Sequence, residues 1–183
     1  MEWFREPPSW KHEGDTITVT SAPGSDFWRK THYGFIRDNG HFYHQPLTGD
    51  FTVEVKITGE YRDLYDQAGV MVRLDETTWM KCGIEFVHGA QFASAVVTRD
   101  YSDWSVVPLP QNLPSLWLRV KRSGSTIEVL YSLNGENYAM LRMTHLTDEP
   151  VQAGIMTASP DGAGFTATFE GLTFHTIQPA HGG

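Results

Sequence analysis

Strict alternation of apolar and polar residues along short segments is the feature that most constrains the fold of this chain. Residues 51–58 read FTVEVKIT, which places every apolar side chain on one face and every polar side chain on the other. A period of two predicts a half-buried β-strand. Similar runs predict strands at 66–74, 78–87, 91–99, 116–121, 126–132, 151–158 and 164–175. No helical spacing extends over three turns, so the pattern predicts an all-β chain.

Turn-forming residues separate these segments and indicate how the strands are connected. The sequence Asn134-Gly135, inside YSLNGENY, predicts a two-residue hairpin turn, because Asn and Gly accept the positive φ angles of a type I′ turn. Many short strands with short connections predict a two-sheet antiparallel sandwich. We expect one domain over residues 1–175 and a flexible tail over 176–183.

Charge and cysteine content exclude several classes of function. The chain has 14 Lys and Arg against 22 Asp and Glu, and its basic residues are scattered. Nucleic acids and anionic membranes are therefore poor partners. A single cysteine excludes an internal disulfide framework, and the N-terminal sequence lacks the pattern of an export signal. These features, and the lack of an apolar run that approaches a membrane span, predict a cytoplasmic protein.

Five sequence strings are distinctive in their order and spacing: DFWRKTHYGF (26–35), DQAGVMVR (66–73), WMKCGIEF (79–86), VVTRDYSDWS (96–105) and TASPDGAGF (157–165). Together they resemble a known family of unknown function with a concanavalin A-like fold. The family includes a yeast protein named for an effect on enolase expression. The resemblance implies a concanavalin A-like jelly roll. It implies no single activity, because that fold carries lectins, glucanases, lyases and interaction domains.

One face of two neighbouring strands carries the strongest functional signal. In the segment 78–87, Met80, Cys82, Ile84 and Phe86 form the apolar face and predict a buried, unreactive thiol. The opposite face carries Trp79, Lys81, Gly83 and Glu85, and the segment 66–74 contributes Gln67, Gly69, Met71 and Arg73. The short connection at 75–77 predicts antiparallel pairing, which would align both sets in one solvent-accessible patch.

The composition of this patch suits a carbohydrate, which binds to an aromatic platform with fixed hydrogen-bonding groups around it. The segment 98–105 is read as a loop at the rim of the patch. The predicted ligand-binding residues are Gln67, Arg73, Trp79, Lys81, Glu85, Asp103 and Trp104. Structural alternatives remain open. Lys81 and Glu85 would form only an ion-pair network, Asp103 would cap backbone amides, and Trp104 would plug the sheet edge. In the segment 26–35, the aromatic residues favour a structural role in which they pack over one sheet.

Catalytic and metal-binding patterns are sparse. Glycosidases need two carboxyl groups, and only Glu85 is well placed. The Glu-x-Asp-x-x-Glu motif of concanavalin A-like glucanases would require acids where the chain has Lys81 and Gly83. His41 and His44 point to opposite faces of a strand because their separation is odd, so no metal site follows. We predict no cofactor.

Three hypotheses of function follow. The first is a noncatalytic binding domain for a carbohydrate or polyhydroxylated metabolite, which the pattern favours over an enzyme. The second is an enzyme acting on such a compound, with Glu85 as acid or base. The third is a regulatory domain that binds another protein.

Overall fold

Two large antiparallel sheets form the structure, a computed structural model that describes residues 1–177. Sheet A contains, in spatial order, β1 (Glu2–Phe4), β6 (His41–Leu47), β15 (Val151–Ala158), β8 (Gln67–Arg73), β9 (Thr78–Val87), β10 (Ala90–Arg99) and β11 (Tyr101–Pro108). Sheet B contains β14 (Tyr138–His145), β13 (Thr126–Ser132), β12 (Leu116–Ser123), β7 (Asp50–Gly59), β16 (Thr166–Ile177), β3 (Thr16–Thr20) and β2 (Ser9–Glu13). The predicted all-β, two-sheet antiparallel sandwich is confirmed.

The main core lies between the two sheets, where the apolar faces of the alternating strands meet. Val53, Val55 and Ile57 of β7 are buried in it, as are Cys82 and Ile84 of β9. The predicted orientation of Cys82 toward the core is therefore confirmed. Alternation is maintained in β7 because its opposite face is only partly covered.

We predict that Cys82 reacts with thiol reagents only after unfolding. Burial raises the pKa of Cys82 to about 12, so almost no thiolate forms at neutral pH. The labelling rate in native buffer should be far below the rate measured for the protein unfolded in denaturant. Fast labelling of the folded protein would contradict the strand register that places this side chain inside.

A ribbon of two short strands covers the outer face of sheet A. It consists of β4 (Phe27–Arg29) and β5 (Ile36–Asp38). A second apolar cluster lies beneath it, formed by Phe27, Trp28, Phe42, Met71, Trp79, Val96, Met156 and Ala158. The prediction that Phe27 and Trp28 pack over a sheet is confirmed. Strand β8 is consequently buried at every position, on both faces.

Ion pairs fasten the ribbon to sheet A at both ends. At one end Arg73 donates two hydrogen bonds to Asp38, at 2.5 and 2.9 Å. At the other end Arg29 and Lys30 donate to Asp100, at 2.9 and 2.8 Å. The ribbon therefore forms a fixed wall over the sheet.

The hairpin predicted at Asn134-Gly135 exists, but its loop is longer than two residues. Strands β13 and β14 pair as expected, and the loop between them spans residues 133–137. The side-chain oxygen of Asn134 accepts hydrogen bonds from the amides of residues 136 and 137. Only Gly135 of the pair has a positive φ, at 78°. The type I′ prediction is wrong because the Asn134 side chain organises a wider turn.

The end of the described chain belongs to sheet B. Strand β16 continues through Ile177, so the first two residues of the predicted tail, 176–183, are in a strand. The remainder of that predicted tail lies outside the described residues. Over residues 1–177 there is no helix long and apolar enough to cross a membrane.

Candidate functional site

A pocket of about 190 Å³ lies between the ribbon and sheet A. Its floor comes from sheet A and its wall from the ribbon and the segments next to it. The floor is formed by Gln67, Lys81, Glu85, Val96 and Trp104. The wall and rim are formed by Asp26, Trp28, Tyr33, Phe35, Arg37, Tyr65, Pro160 and Asp161.

Strand register brings the floor residues together. Strands β8 and β9 are antiparallel across the predicted connection, and Gln67 is directly opposite Glu85. Lys81 pairs with Val96 of β10, which in turn pairs with Trp104 of β11. Paired residues share a face of the sheet, so all five side chains point to the ribbon.

The predicted solvent-accessible patch is in fact enclosed. Gln67, Lys81 and Glu85 are 6%, 5% and 8% exposed. The prediction that these residues lie on an open face is wrong, because the ribbon and residues before it cover sheet A. They remain accessible to a small molecule through the pocket that they line.

Two predicted site residues instead hold the ribbon in place. Arg73 is buried in its ion pair with Asp38, and its guanidinium lies 4.7 Å from the centre of the Phe4 ring. Trp79 is fully buried in the cluster under the ribbon, and its ring centre lies 6.1 Å from that of Phe27. Neither side chain lines the pocket.

Asp103 also lies outside the pocket, although it is adjacent to Trp104. The segment expected to be a rim loop is largely strand β11, in which neighbouring side chains point to opposite faces. Trp104 pairs with Val96 on the ribbon side, whereas Asp103 pairs with the core residue Val97 and is solvent-exposed at the edge.

Glu85 is a buried carboxyl group with one engaged oxygen. Its Oε2 accepts hydrogen bonds from the Ser94 hydroxyl and from the Trp104 indole N–H, each at 2.8 Å. Within residues 1–177 no hydrogen bond reaches Oε1. Burial raises the pKa of Glu85, while Lys81 and the two hydrogen bonds oppose that rise.

Lys81 forms an ion pair with Asp26. Its ammonium donates to the Phe27 carbonyl at 2.6 Å and to Oδ1 of Asp26 at 3.4 Å. That same Oδ1 accepts the Phe27 backbone N–H at 2.8 Å. The alternative of a Lys81–Glu85 ion-pair network is therefore wrong, because the carboxylate partner comes from the segment that leads into the ribbon.

Aromatic side chains surround the mouth of the pocket. Trp104 is 39% exposed, and the Tyr65 ring meets it edge-on at 6.2 Å. The hydroxyl groups of Tyr65 and Tyr33 are 3.2 Å apart across the mouth. This hydrogen bond, followed by burial and nearby acidic groups, raises the pKa of Tyr65 to about 12. The phenol is therefore neutral at physiological pH.

Sequence reasoning missed the residues that come from the wall. Asp26, Arg37, Tyr65 and Asp161 lie in short or irregular segments, where no periodicity indicates a face. The string DFWRKTHYGF, which was interpreted as packing, contains four of the lining residues. Its cluster of polar and aromatic types was the available signal.

The histidines considered as metal ligands have other partners. The two ring nitrogens of His41 contact the Arg5 carbonyl at 2.7 Å and the Ala22 amide at 3.0 Å. Nδ1 of His44 contacts Gln152 at 2.9 Å. In the part of the chain that the structure describes, no group of three His, Cys, Asp or Glu side chains is placed to hold a metal ion.

Comparison with known proteins assigns the chain to a family. The family described as protein of unknown function DUF1349 matches residues 3–177. The chain belongs to the DUF1349 family. A DUF1349 relative from Saccharomyces cerevisiae, Regulation of enolase protein 1, is 36% identical over 168 residues, which are 91% of this chain and 85% of that protein.

Solved structures identify the fold of this DUF1349 protein. The crystal structure of a functionally unknown Saccharomyces cerevisiae protein superposes with a TM-score of 0.92 at 34% identity, covering 97% of both chains. A xylan β-1,4-xylosidase from Bacillus halodurans superposes with a TM-score of 0.69 at 13% identity, covering 88% of this chain and 33% of that one. The concanavalin A-like jelly-roll prediction is confirmed, and the second match shows the fold alone.

We predict that Glu85→Gln stabilises the DUF1349 protein more at neutral than at acidic pH. The pKa of Glu85 in the folded protein lies above its usual value of 4.5. Ionisation of Glu85 therefore lowers the stability of the fold as the pH rises from 4.5 through the folded pKa. Glutamine keeps an oxygen for Ser94 and Trp104 but does not ionise. The difference in melting temperature between variant and wild type should increase across that window. A constant difference would contradict the proposed environment of Glu85.

Proposed function

We propose that the pocket binds one ring of a carbohydrate or of another polyhydroxylated metabolite. The observation that carries the proposal is the Trp104–Glu85 pair. The indole N–H is fixed on one carboxyl oxygen, so the partly exposed Trp104 ring lies next to a carboxyl group whose second oxygen accepts no hydrogen bond from residues 1–177. A sugar needs such a combination, because its C–H face packs on an aromatic ring while its hydroxyls require directional partners.

The pocket volume suits a single ring. An apolar protein cavity of about 150 Å³ accommodates benzene, and this pocket measures about 190 Å³. A six-membered ring with its hydroxyl groups is of that order, whereas drug-sized ligands occupy pockets of roughly 300 Å³ or more.

The charges that line the pocket favour a neutral ligand. Lys81 and Arg37 are cationic, and Asp26, Glu85 and Asp161 are acidic. Lys81 is paired with Asp26, and the raised pKa of Glu85 reduces its negative charge. Hydroxyl groups can both donate and accept, so they match this mixture of groups better than an ionic ligand does.

The fold gives weaker support for a carbohydrate ligand. A structural neighbour is named as a xylosidase that acts on xylan. At 13% identity that likeness extends only to the architecture, so the argument depends on the pocket chemistry.

Calorimetric titration with D-xylose, D-glucose and D-galactose tests the proposal. Trp104→Ala should weaken binding at least about tenfold, because the aromatic platform and a hydrogen bond to Glu85 are both lost. Asp103→Ala is the matched control, since the adjacent side chain points to the other face, and its affinity should equal that of the wild type. Absence of heat with every sugar, or an equal effect of both variants, would contradict the proposal.

A regulatory role is a second candidate, and a relative's name favours it. The yeast relative at 36% identity is named for regulation of enolase. We infer that this chain regulates an enolase, with the pocket ligand as the signal. Purified enolase from the same organism should co-sediment with the protein or change in activity in a sugar-dependent way. If the protein neither co-sediments with enolase nor changes its activity, with or without sugar, this role is excluded.

A further inference from the structure

Two carboxyl groups of different character line the same ring-sized pocket. Glu85 extends from the floor, on β9, and Asp26 lies in the wall, just before β4. Glu85 has no basic side chain within 4.0 Å among residues 1–177, whereas Asp26 contacts the Lys81 ammonium. A ring bound between floor and wall therefore meets one carboxyl group that has no ion-pair partner among residues 1–177 and one that is ion-paired.

The hydrogen bonds of Glu85 determine where its proton resides. The Ser94 hydroxyl and the Trp104 indole both donate to Oε2, which therefore serves as an acceptor. A proton on this carboxyl must consequently be on Oε1, the oxygen that no described residue engages. Glu85 is more than nine-tenths buried and lines the pocket, so a ligand held there is the available partner for that proton. Glu85 is thus arranged as a proton donor.

The surroundings of Asp26 are arranged for the opposite role. Its Oδ1 accepts the Phe27 N–H at 2.8 Å and the Lys81 ammonium at 3.4 Å, so both donors lie on one oxygen. In the described chain no hydrogen bond is made to Oδ2. Asp26 is therefore arranged as a proton acceptor in the same pocket. Two carboxyl groups in contrasting environments are a general route to an acid and a base within one site.

We propose, building on the proposed function, that the pocket interconverts the α and β anomers of a reducing monosaccharide, with Glu85 as general acid and Asp26 as general base. The Asp26 carboxylate removes the proton from the anomeric hydroxyl, and the C1–O1 bond becomes a carbonyl. The C1–O5 bond breaks at the same time, and O5 takes the proton of Glu85. Rotation about C1–C2 and closure by the reverse transfers give the other anomer and restore both carboxyl groups.

This reaction needs only the groups present in the pocket. Protons move between Glu85, Asp26 and the sugar, and no oxidant, reductant or other reactant is consumed. The volume of about 190 Å³ is filled by one ring, which suits a reaction confined to that ring. Hydrolysis would also require space for an attacking water beside the sugar.

Anomer exchange in freshly dissolved α-D-xylose, α-D-glucose and α-D-galactose, followed by proton NMR, tests this proposal. The wild-type protein should accelerate exchange of at least one sugar over buffer. Glu85→Gln and Asp26→Asn should each lower the acceleration by about 100-fold or more, the usual contribution of a general acid or base. Asp103→Asn is the control and should retain the full rate, since its side chain lies outside the pocket.

Sugar binding and melting temperature, measured on the same samples, distinguish the outcomes. Acceleration lost in both variants while they remain folded and bind sugar supports the proposal. Wild-type protein that binds sugar without accelerating exchange overturns it and leaves the proposed function intact. Absence of binding overturns both. Release of nitrophenol from p-nitrophenyl glycosides without anomer exchange would overturn the proposed reaction and indicate hydrolysis instead.

Discussion

Replacing Gly69 with alanine should lower the free energy of unfolding by about 3 kcal/mol or more, the largest stability loss that we expect from one methyl group. Gly69 of β8 is directly opposite Gly83 of β9. A Cβ at position 69 would lie 1.6 Å from the backbone oxygen of Cys82. Both strands are flanked by others in sheet A, so neither can move aside. Urea unfolding of the purified variant measures the loss.

Gly14→Ala is the control for this substitution. Its φ is 63° but a Cβ there has no neighbour within 4 Å, so only the backbone penalty of about 1 kcal/mol is expected. Equal losses for the two variants would show that close strand contact does not determine the requirement for glycine at position 69.

Arg73→Ala should cost about 3 kcal/mol and also abolish sugar binding. The substitution removes a guanidinium that is 10% exposed and leaves the Asp38 carboxylate, 27% exposed, without its partner, which is more costly than loss of a surface ion pair. It also releases the ribbon that forms the pocket wall. Urea unfolding and calorimetric titration measure the two effects.

Arg119→Ala is the matched control, because its pair with Glu54 is about one-third exposed and distant from the ribbon. That variant should lose less than about 1 kcal/mol and bind sugar normally. The Asp38→Ala/Arg73→Ala double variant should be more stable than Arg73→Ala alone. If Arg73→Ala lost no more stability than Arg119→Ala, the ribbon would not depend on this pair.

The strands and their faces could be predicted because alternation is a local property. A period of two in 78–87 placed Cys82 inside and Lys81 with Glu85 on the opposite face, and a short connection made β8 and β9 neighbours. Solvent accessibility could not be predicted in the same way. Alternation shows which side chains share a face, and the ribbon that covers this face comes from a segment some forty residues earlier in the chain.

The candidate site was predictable where it belongs to strands. Gln67, Lys81 and Glu85 line the pocket as their faces indicated, and Trp104, which was predicted in a rim loop, lines it from strand β11. Asp26 and the other wall residues were missed because irregular segments show no periodicity. Asp103 was misplaced for a related reason, since its segment was interpreted as a loop and is a strand in which it points away from Trp104.

The central claim is that a sugar ring binds beside Trp104 and Glu85, and the indole N–H of Trp104 reports on it directly. This N–H is bonded to Oε2 of Glu85, and the chain has only six Trp residues. A ¹⁵N-labelled sample gives a separate indole N–H signal for each Trp and is titrated with D-xylose, D-glucose or D-galactose. The spectrum of the Trp104→Phe variant assigns the Trp104 signal. We expect the largest shift at Trp104 and a smaller one at Trp28, which also lines the pocket. Shifts confined to Trp117 on sheet B, or no shifts with any of the three sugars, would contradict the account.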